Sequence, residues 1–265
     1  MKNNNKFRLD VWGAITLGTI ALYALFLLYP MAYLIRQSVL DPDTGSFTLA
    51  YFTKFFSKSY YFDTLINSFK VSITATVLSI AIGTPLAYLF TIFKIKGKSV
   101  LNILIVVASM SAPFIGAYSW ILLLGRSGII TTFFKNLGIA IPDIYGFGGI
   151  VLVMTLQLFP LVFLYAKGAL KNIDNSLIEA AENLGCSGIA CFFKVVVPLI
   201  MPTLLAAALL VFMRSFADFG TPMLIGEGYR TFPVVLYTEF INEVGGSDGF
   251  AAAIAVIAIV ITTLV

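Results

Sequence analysis

Apolar runs too long for a water-soluble helix to hide set the first constraint on this chain. Val11–Ile35, Leu65–Phe93, Val100–Leu124, Phe147–Ala166, Thr203–Ile225 and Phe250–Val265 are each dominated by aliphatic and aromatic side chains. A hydrocarbon core about 30 Å thick takes roughly 20 such residues as one helix, so these runs predict an all-α, polytopic membrane protein with about six transmembrane helices. The composition agrees: 59% hydrophobic and 11% charged residues over 265 positions, with a mean hydropathy of +0.96, leave lipid as the solvent. Val11–Ile35 is too long for a signal-peptide core and lacks a small-residue cleavage site, so it reads as a retained span. Pro85 falls near the far end of the second run, and Pro202 is placed for a helix start before the fifth. The last run, about 16 residues, would rise only about 24 Å as a helix. Its shortness predicts a chain cut within its sixth helix, so residues 1–265 read as a single, truncated transmembrane domain.

Charge gives the orientation. Alternating the spans gathers Lys2, Lys6, Arg8, Lys94, Lys96, Lys98, Lys167, Lys171 and Lys194 on one side. Arg36, Lys54, Lys58, Arg126, Lys135 and Arg230 are spread over longer loops on the other. Positive charge concentrates on the cytoplasmic side, so the N-terminus is predicted to be cytoplasmic, in a cell (inner or plasma) membrane. The net charge of +4 is explained by these loops, and no basic run interleaved with aromatics points to nucleic acid. The aromatic stretch Tyr51–Phe62 is predicted to lie at the lipid–water interface. A docking surface is the second reading.

Several chemistries are excluded by what is missing. The sequence has no histidine, and Cys186 and Cys191 have neither a CxxC nor a zinc spacing, so no metal site or His-based acid–base centre is expected. There is no G-x-x-x-x-G-K-[ST] loop for nucleotide phosphates, and no clustered nucleophile. The chain therefore does not read as an enzyme, and any ATP-driven work needs another subunit.

The polar interruption Glu179–Pro198 carries its own helix-building residues. Ser176 and Glu179 form an S-x-x-E pattern for a capping box, and Gly185 follows where a left-handed C-cap is wanted. A short helix over Leu177–Leu184 is predicted, then a second over Ile189–Val196 leading to Pro198. Small Ala180 and Ala181 would let another surface approach closely. The spacing Glu179-Ala180-Ala181, Gly185, Val195, Val197, Pro198 resembles the EAA motif of ATP-binding-cassette (ABC) importer permeases. Valines stand where that family usually has Ile and Leu. The turn Gly125–Gly128 and the run Ser215–Pro222 are similar to the iron(III)-type branch.

This resemblance implies the type I ABC importer permease fold, with Glu179, Ala180, Ala181, Gly185 and Pro198 coupling to a separate cytoplasmic ABC ATPase dimer that holds ATP and Mg. This chain itself would bind no cofactor. It further implies an extracytoplasmic substrate-binding protein and a second permease unit, in the same chain or as a homodimer or heterodimer. Iron(III) is the first substrate expectation; phosphonate and polyamine are the alternatives. The expected mechanism is alternating access driven by ATPase closure. The rivals are an ion-coupled carrier, which usually places several ionisable groups at depth, and a membrane enzyme.

Within the spans, Arg214 and Asp218 are four apart and would share a helix face, as an ion pair or as lining of the passage. Gly220-Thr221-Pro222 is predicted to break that helix as a hinge. Asn67 and Lys70 share a face near the outer edge, with Lys70 snorkelling. Gln157 and Pro160 read as helix-packing positions.

Overall fold

The computed structural model describes residues 11–41, 44–93, 95–110, 112–139, 141–241 and 248–264, all helix, turn or loop apart from one isolated bridge between Leu40 and Phe47. Lys2, Lys6, Arg8 and Lys94, on which part of the charge argument rests, lie outside these residues. Along the chain run α1 (Val11–Val39), α2 (Ala50–Ser57), α3 (Ser59–Ile92), α4 (Lys98–Ser109), α5 (Pro113–Leu124), α6 (Ile129–Asn136), α7 (Phe147–Lys171), α8 (Asn175–Asn183), α9 (Gly188–Ala217), α10 (Gly220–Ile225), α11 (Phe232–Ile241) and α12 (Asp248–Leu264). The stretches 11–39, 59–92, 114–136, 147–171 and 188–217 are long and apolar enough to cross a membrane.

The expected spans are present with two interruptions. Val100–Leu124 is two helices, because Ala112 is extended and Pro113 starts the next helix. Thr203–Ile225 is also two, since α9 ends at Ala217 and α10 begins at Gly220. Nor does Pro202 start a helix; it lies inside α9, which begins at Gly188. Proline is tolerated in such helices because other backbone adjustments re-satisfy the freed carbonyls. One adjustment is visible twice. Widened π-turns at Ala24–Leu28 and Phe192–Val196 end just before Tyr29-Pro30 and Val197-Pro198, with Tyr29 N–H donating to Ala24 and Val197 N–H to Phe192. A proline ring crowds the carbonyl four residues earlier, and a wider turn makes room for it.

The chain divides into two compact units, Met1–Ser59 with Leu236–Val265, and Tyr60–Val235. In the first, α12 packs on the second half of α1 and on α2. Lys54 Nζ lies 4.0 Å from the centre of the Phe250 ring, and Gly249 leaves room for Tyr51, whose ring would stand 2.5 Å from a Cβ there. The aromatic stretch is not uniformly interfacial. Phe55 and Tyr61 are buried, while Phe56, Tyr60 and Phe62 are exposed.

The second unit is built on α3, α7 and α9. Ser68, Ser72, Ala75, Ser79 and Gly83 recur every three or four residues on the buried face of α3. Small residues at that spacing let helices approach closely where lipid supplies no hydrophobic drive between them. Phe90 meets Phe163 edge-on at 5.2 Å, Phe69 packs between Phe212 and Phe216, and Tyr88 meets Phe192 at 4.6 Å. At the end of the unit Asn67 donates to the Arg230 carbonyl at 3.1 Å, and Phe232 N–H donates to Ser68 Oγ at 2.8 Å. Lys70 is exposed.

Candidate functional site

The segment after α7 forms a short helix with both ends finished. Asp174, not Ser176, caps its start: the Asp174 carboxylate accepts from Ser176 N–H at 3.0 Å, and its carbonyl accepts from Leu177 N–H at 3.1 Å. Those bonds to Ser176 hold the Asp174 carboxyl below its ordinary value. Its contribution is therefore complete above the usual carboxylate range and is lost as pH falls through the depressed value. The capping box expected of Ser176 and Glu179 does not form, because the helix starts at Asn175 and puts Ser176 inside its first turn.

At the other end Gly185 adopts φ +86°, and Cys186 N–H reaches back to the Ala181 carbonyl at 3.0 Å. This is the six-to-one bond of a Schellman cap. The second helix expected over Ile189–Val196 is the beginning of α9, with Pro198 just past its π-turn.

Two faces of α8 differ. Ile178 packs toward the buried core, and Ile178 and Glu179 border a cavity of about 330 Å³ with Tyr88, Thr91 and Ile92 of α3 and Leu170 and Ile173 at the end of α7. Leu177, Ala180, Ala181 and Leu184 follow the i, i+3, i+4, i+7 spacing of a single stripe. Leu177, Ala180 and Leu184 are exposed, Leu184 at 90%, and Ala181 is half-buried. Cys186 is half-buried and Cys191 buried, and neither is in a disulfide.

A second cavity, about 480 Å³, lies among the spans. Its lining includes Ser109, Phe114, Met154, Gln157, Arg214, Asp218 and Gly220. Gln157 thus faces a cavity and not only a neighbouring helix, whereas Pro160 is buried inside α7. Arg214 and Asp218 share this lining but not a helix face. Asp218 is the extended residue that ends α9. Its carboxylate takes Gly220 N–H at 2.9 Å and Thr221 Oγ1 at 2.6 Å, and this captured turn starts α10. The helix break therefore falls at Asp218-Phe219, upstream of Gly220-Thr221-Pro222, which are buried. Pro222 sits in the first turn of α10, where its missing N–H costs nothing.

Sequence reasoning missed a third cluster. Arg126 pairs with Asp143 at 3.1 Å and Glu227 at 2.7 Å, and its guanidinium lies 4.8 Å from the Tyr145 ring centre. Glu227 has φ +43°, outside the usual range for a side-chain-bearing residue. The partners lie 17 and 101 residues from Arg126, so spacing gave no signal.

Membrane-length helices thus line a mostly apolar cavity that Gln157, Arg214 and Asp218 share, with a capped helix set between two spans. The fold matches that of the bacterial alginate ABC transporter, solved in complex with an alginate pentasaccharide-bound periplasmic protein, with a TM-score of 0.78 and 15% identity over 96% of this chain and 90% of that one. Residues 46–265 match the binding-protein-dependent transport system inner membrane component family, and the chain belongs to it.

Among curated relatives, the ferric transport system permease protein FbpB of Actinobacillus pleuropneumoniae is 28% identical over 89% of this chain. The chain spans only 34% of that relative's length. The spermidine/putrescine transport system permease protein PotB of Haemophilus influenzae is 29% identical over 95% of this chain and 89% of its own. The chain is thus a multi-pass membrane component of a binding-protein-dependent transport system.

Proposed function

We propose that this permease carries its cargo by alternating access, driven by a separate cytoplasmic ATPase dimer that docks on α8. The observation that carries this reading is the exposed apolar stripe Leu177–Ala180–Leu184 on a helix finished at both ends. A short rigid helix transmits a displacement that a loose loop would absorb. In this reading Glu179, Ala180, Ala181, Gly185 and Pro198 form the coupling element, and Pro198 lies just past the π-turn of α9, the helix that moves with it. Arg214, Asp218, Gly220 and Pro222 belong to the path or its gate, and the turn at Asp218-Phe219 is the place where α9 and α10 can change angle. ATP and Mg stay on the partner. An extracytoplasmic binding protein delivers the cargo, and a second permease unit completes the passage. The N-terminus and α8 are cytoplasmic, as the lysine distribution indicates.

The cargo in this reading is iron(III), supported by the similarity to the ferric permease and by the run Ser215–Pro222. The polyamine reading has its own support, because PotB matches this chain over nearly its whole length. Uptake by cells carrying the complete importer separates the drives. It is expected to stop on ATP depletion and to survive collapse of the ion gradient. Uptake that survives ATP depletion and collapses with the gradient would establish an ion-coupled carrier instead. Competition by ferric salt but not spermidine is expected, and the reverse would select the polyamine reading.

A further inference from the structure

The seam where α4 meets the end of α7 collects positive charge, and among the described residues no carboxylate is ion-paired with it. Lys98 and Asn102 lie one turn apart on α4, as Lys167 and Lys171 do on α7, and the two helices pack against each other. Lys167 donates to Asn102 Oδ1, and its ammonium sits 5.3 Å from the centre of the buried Phe163 ring. Lys98 and Lys171 are both near enough to repel Lys167. Among the described residues the ion pairs are those of Arg126 with Asp143 and Glu227, so none reaches these lysines. Lys98, Asn102 and Lys167 are half-buried. Cations gathered and partly desolvated in this way are costly unless an anion joins them.

The surroundings say which anion. The lysines stand at the start of α4 and at the end of the α7 span, where a headgroup layer would lie, and Val100, Ile103, Leu104 and Val107 continue along α4 as exposed apolar surface. A ligand that fits carries a phosphate at one end and acyl chains beside it. An acidic protein segment would meet the charge but leave that apolar surface uncovered. We infer that Lys98, Lys167 and Lys171 hold the headgroup of an anionic phospholipid, whose chains lie along α4. This site requires no particular cargo and no particular drive.

The test exchanges the complex extracted from membranes into nanodiscs of equal phosphatidylglycerol and phosphatidylcholine, and reads retained lipid by native mass spectrometry. Phosphatidylglycerol is expected to be retained over phosphatidylcholine by about a hundredfold, and each Lys→Gln change at 98, 167 or 171 should reduce that preference by about fivefold. Lys→Arg at the same positions should keep it, as should Lys58→Gln, which lies beyond α2. If Lys98→Gln or Lys167→Gln does not accumulate, Lys171→Gln, at the exposed end of the seam, carries the comparison. Three results would overturn the site: no headgroup preference in the parent, an undiminished preference in the Gln variants, or displacement of the lipid by inorganic phosphate. Lipid preference unchanged while the ATPase is lost from the Gln variants would likewise overturn it, in favour of an acidic protein partner.

Discussion

Gly83→Leu is expected to abolish accumulation of folded protein. A Cβ at Gly83 would stand 2.9 Å from the Phe159 carbonyl oxygen, 2.9 Å from Val162 Cβ and 3.0 Å from Phe163 N. All three belong to α7 and are backbone atoms or a Cβ, so no side-chain rotation relieves the clash. α3 would have to back away from α7, opening the contact between Phe90 and Phe163 as well. Inserting one or two methylenes into a packed core costs about 1–3 kcal/mol, and a whole leucine against backbone exceeds that range. Gly168→Leu is the control, because a Cβ there meets nothing within 4 Å. Size-exclusion profiles of detergent extracts should show a monodisperse peak for Gly168→Leu and aggregate or nothing for Gly83→Leu. Equal monodisperse peaks would show that the α3–α7 approach is not as close as described.

Gly185→Val should separate coupling from folding. No neighbour lies within 4 Å of a Cβ at Gly185, so the penalty comes from φ +86° alone. Left-handed backbone costs a residue with a Cβ about 1–2 kcal/mol, more when it is β-branched. The Schellman cap opens, and the last turn of α8 with Leu184 loses its fixed position. The packing of α3, α7 and α9 does not involve Gly185. Membrane insertion should therefore be normal while uptake falls at least about tenfold, the factor that 1.4 kcal/mol represents. Gly185→Asn, which tolerates left-handed backbone, should retain most activity. Uptake equal to the parent in the valine variant would remove Gly185 from the coupling account.

Much of this molecule was legible in its sequence because lipid makes the simplest demand of any solvent. Unbroken apolar runs such as 147–166 could only be spans, and the glycine after Leu184 could only end a helix. What escaped was geometry decided by competition between neighbours. Asp174 and Ser176 are both good caps, and it is Asp174 that takes the Ser176 and Leu177 N–H groups, so α8 begins at Asn175. Arg214 and Asp218 have the spacing of a helical pair, yet Asp218 gains more from two backbone N–H groups and Thr221 than from a helical position. The breaks at Ala112-Pro113 and Asp218-Phe219 lie inside continuous apolar stretches, where hydropathy carries no signal. The short helix expected to lead up to Pro198 runs on through it, because a π-turn absorbs the proline within one long helix. The Arg126 cluster joins three loops that no local pattern links.

Docking of an ATPase on α8 is tested most directly by cross-linking from Ala180. With Cys186→Ser and Cys191→Ser in place, an Ala180→Cys variant bearing a benzophenone maleimide is illuminated in membranes containing the complete importer. The expected product joins this chain to a subunit that 8-azido-ATP also labels, and the same probe at Ile139→Cys gives none. No ATP-labelled product from position 180, or one formed only from position 139, would contradict both the docking helix and its cytoplasmic side.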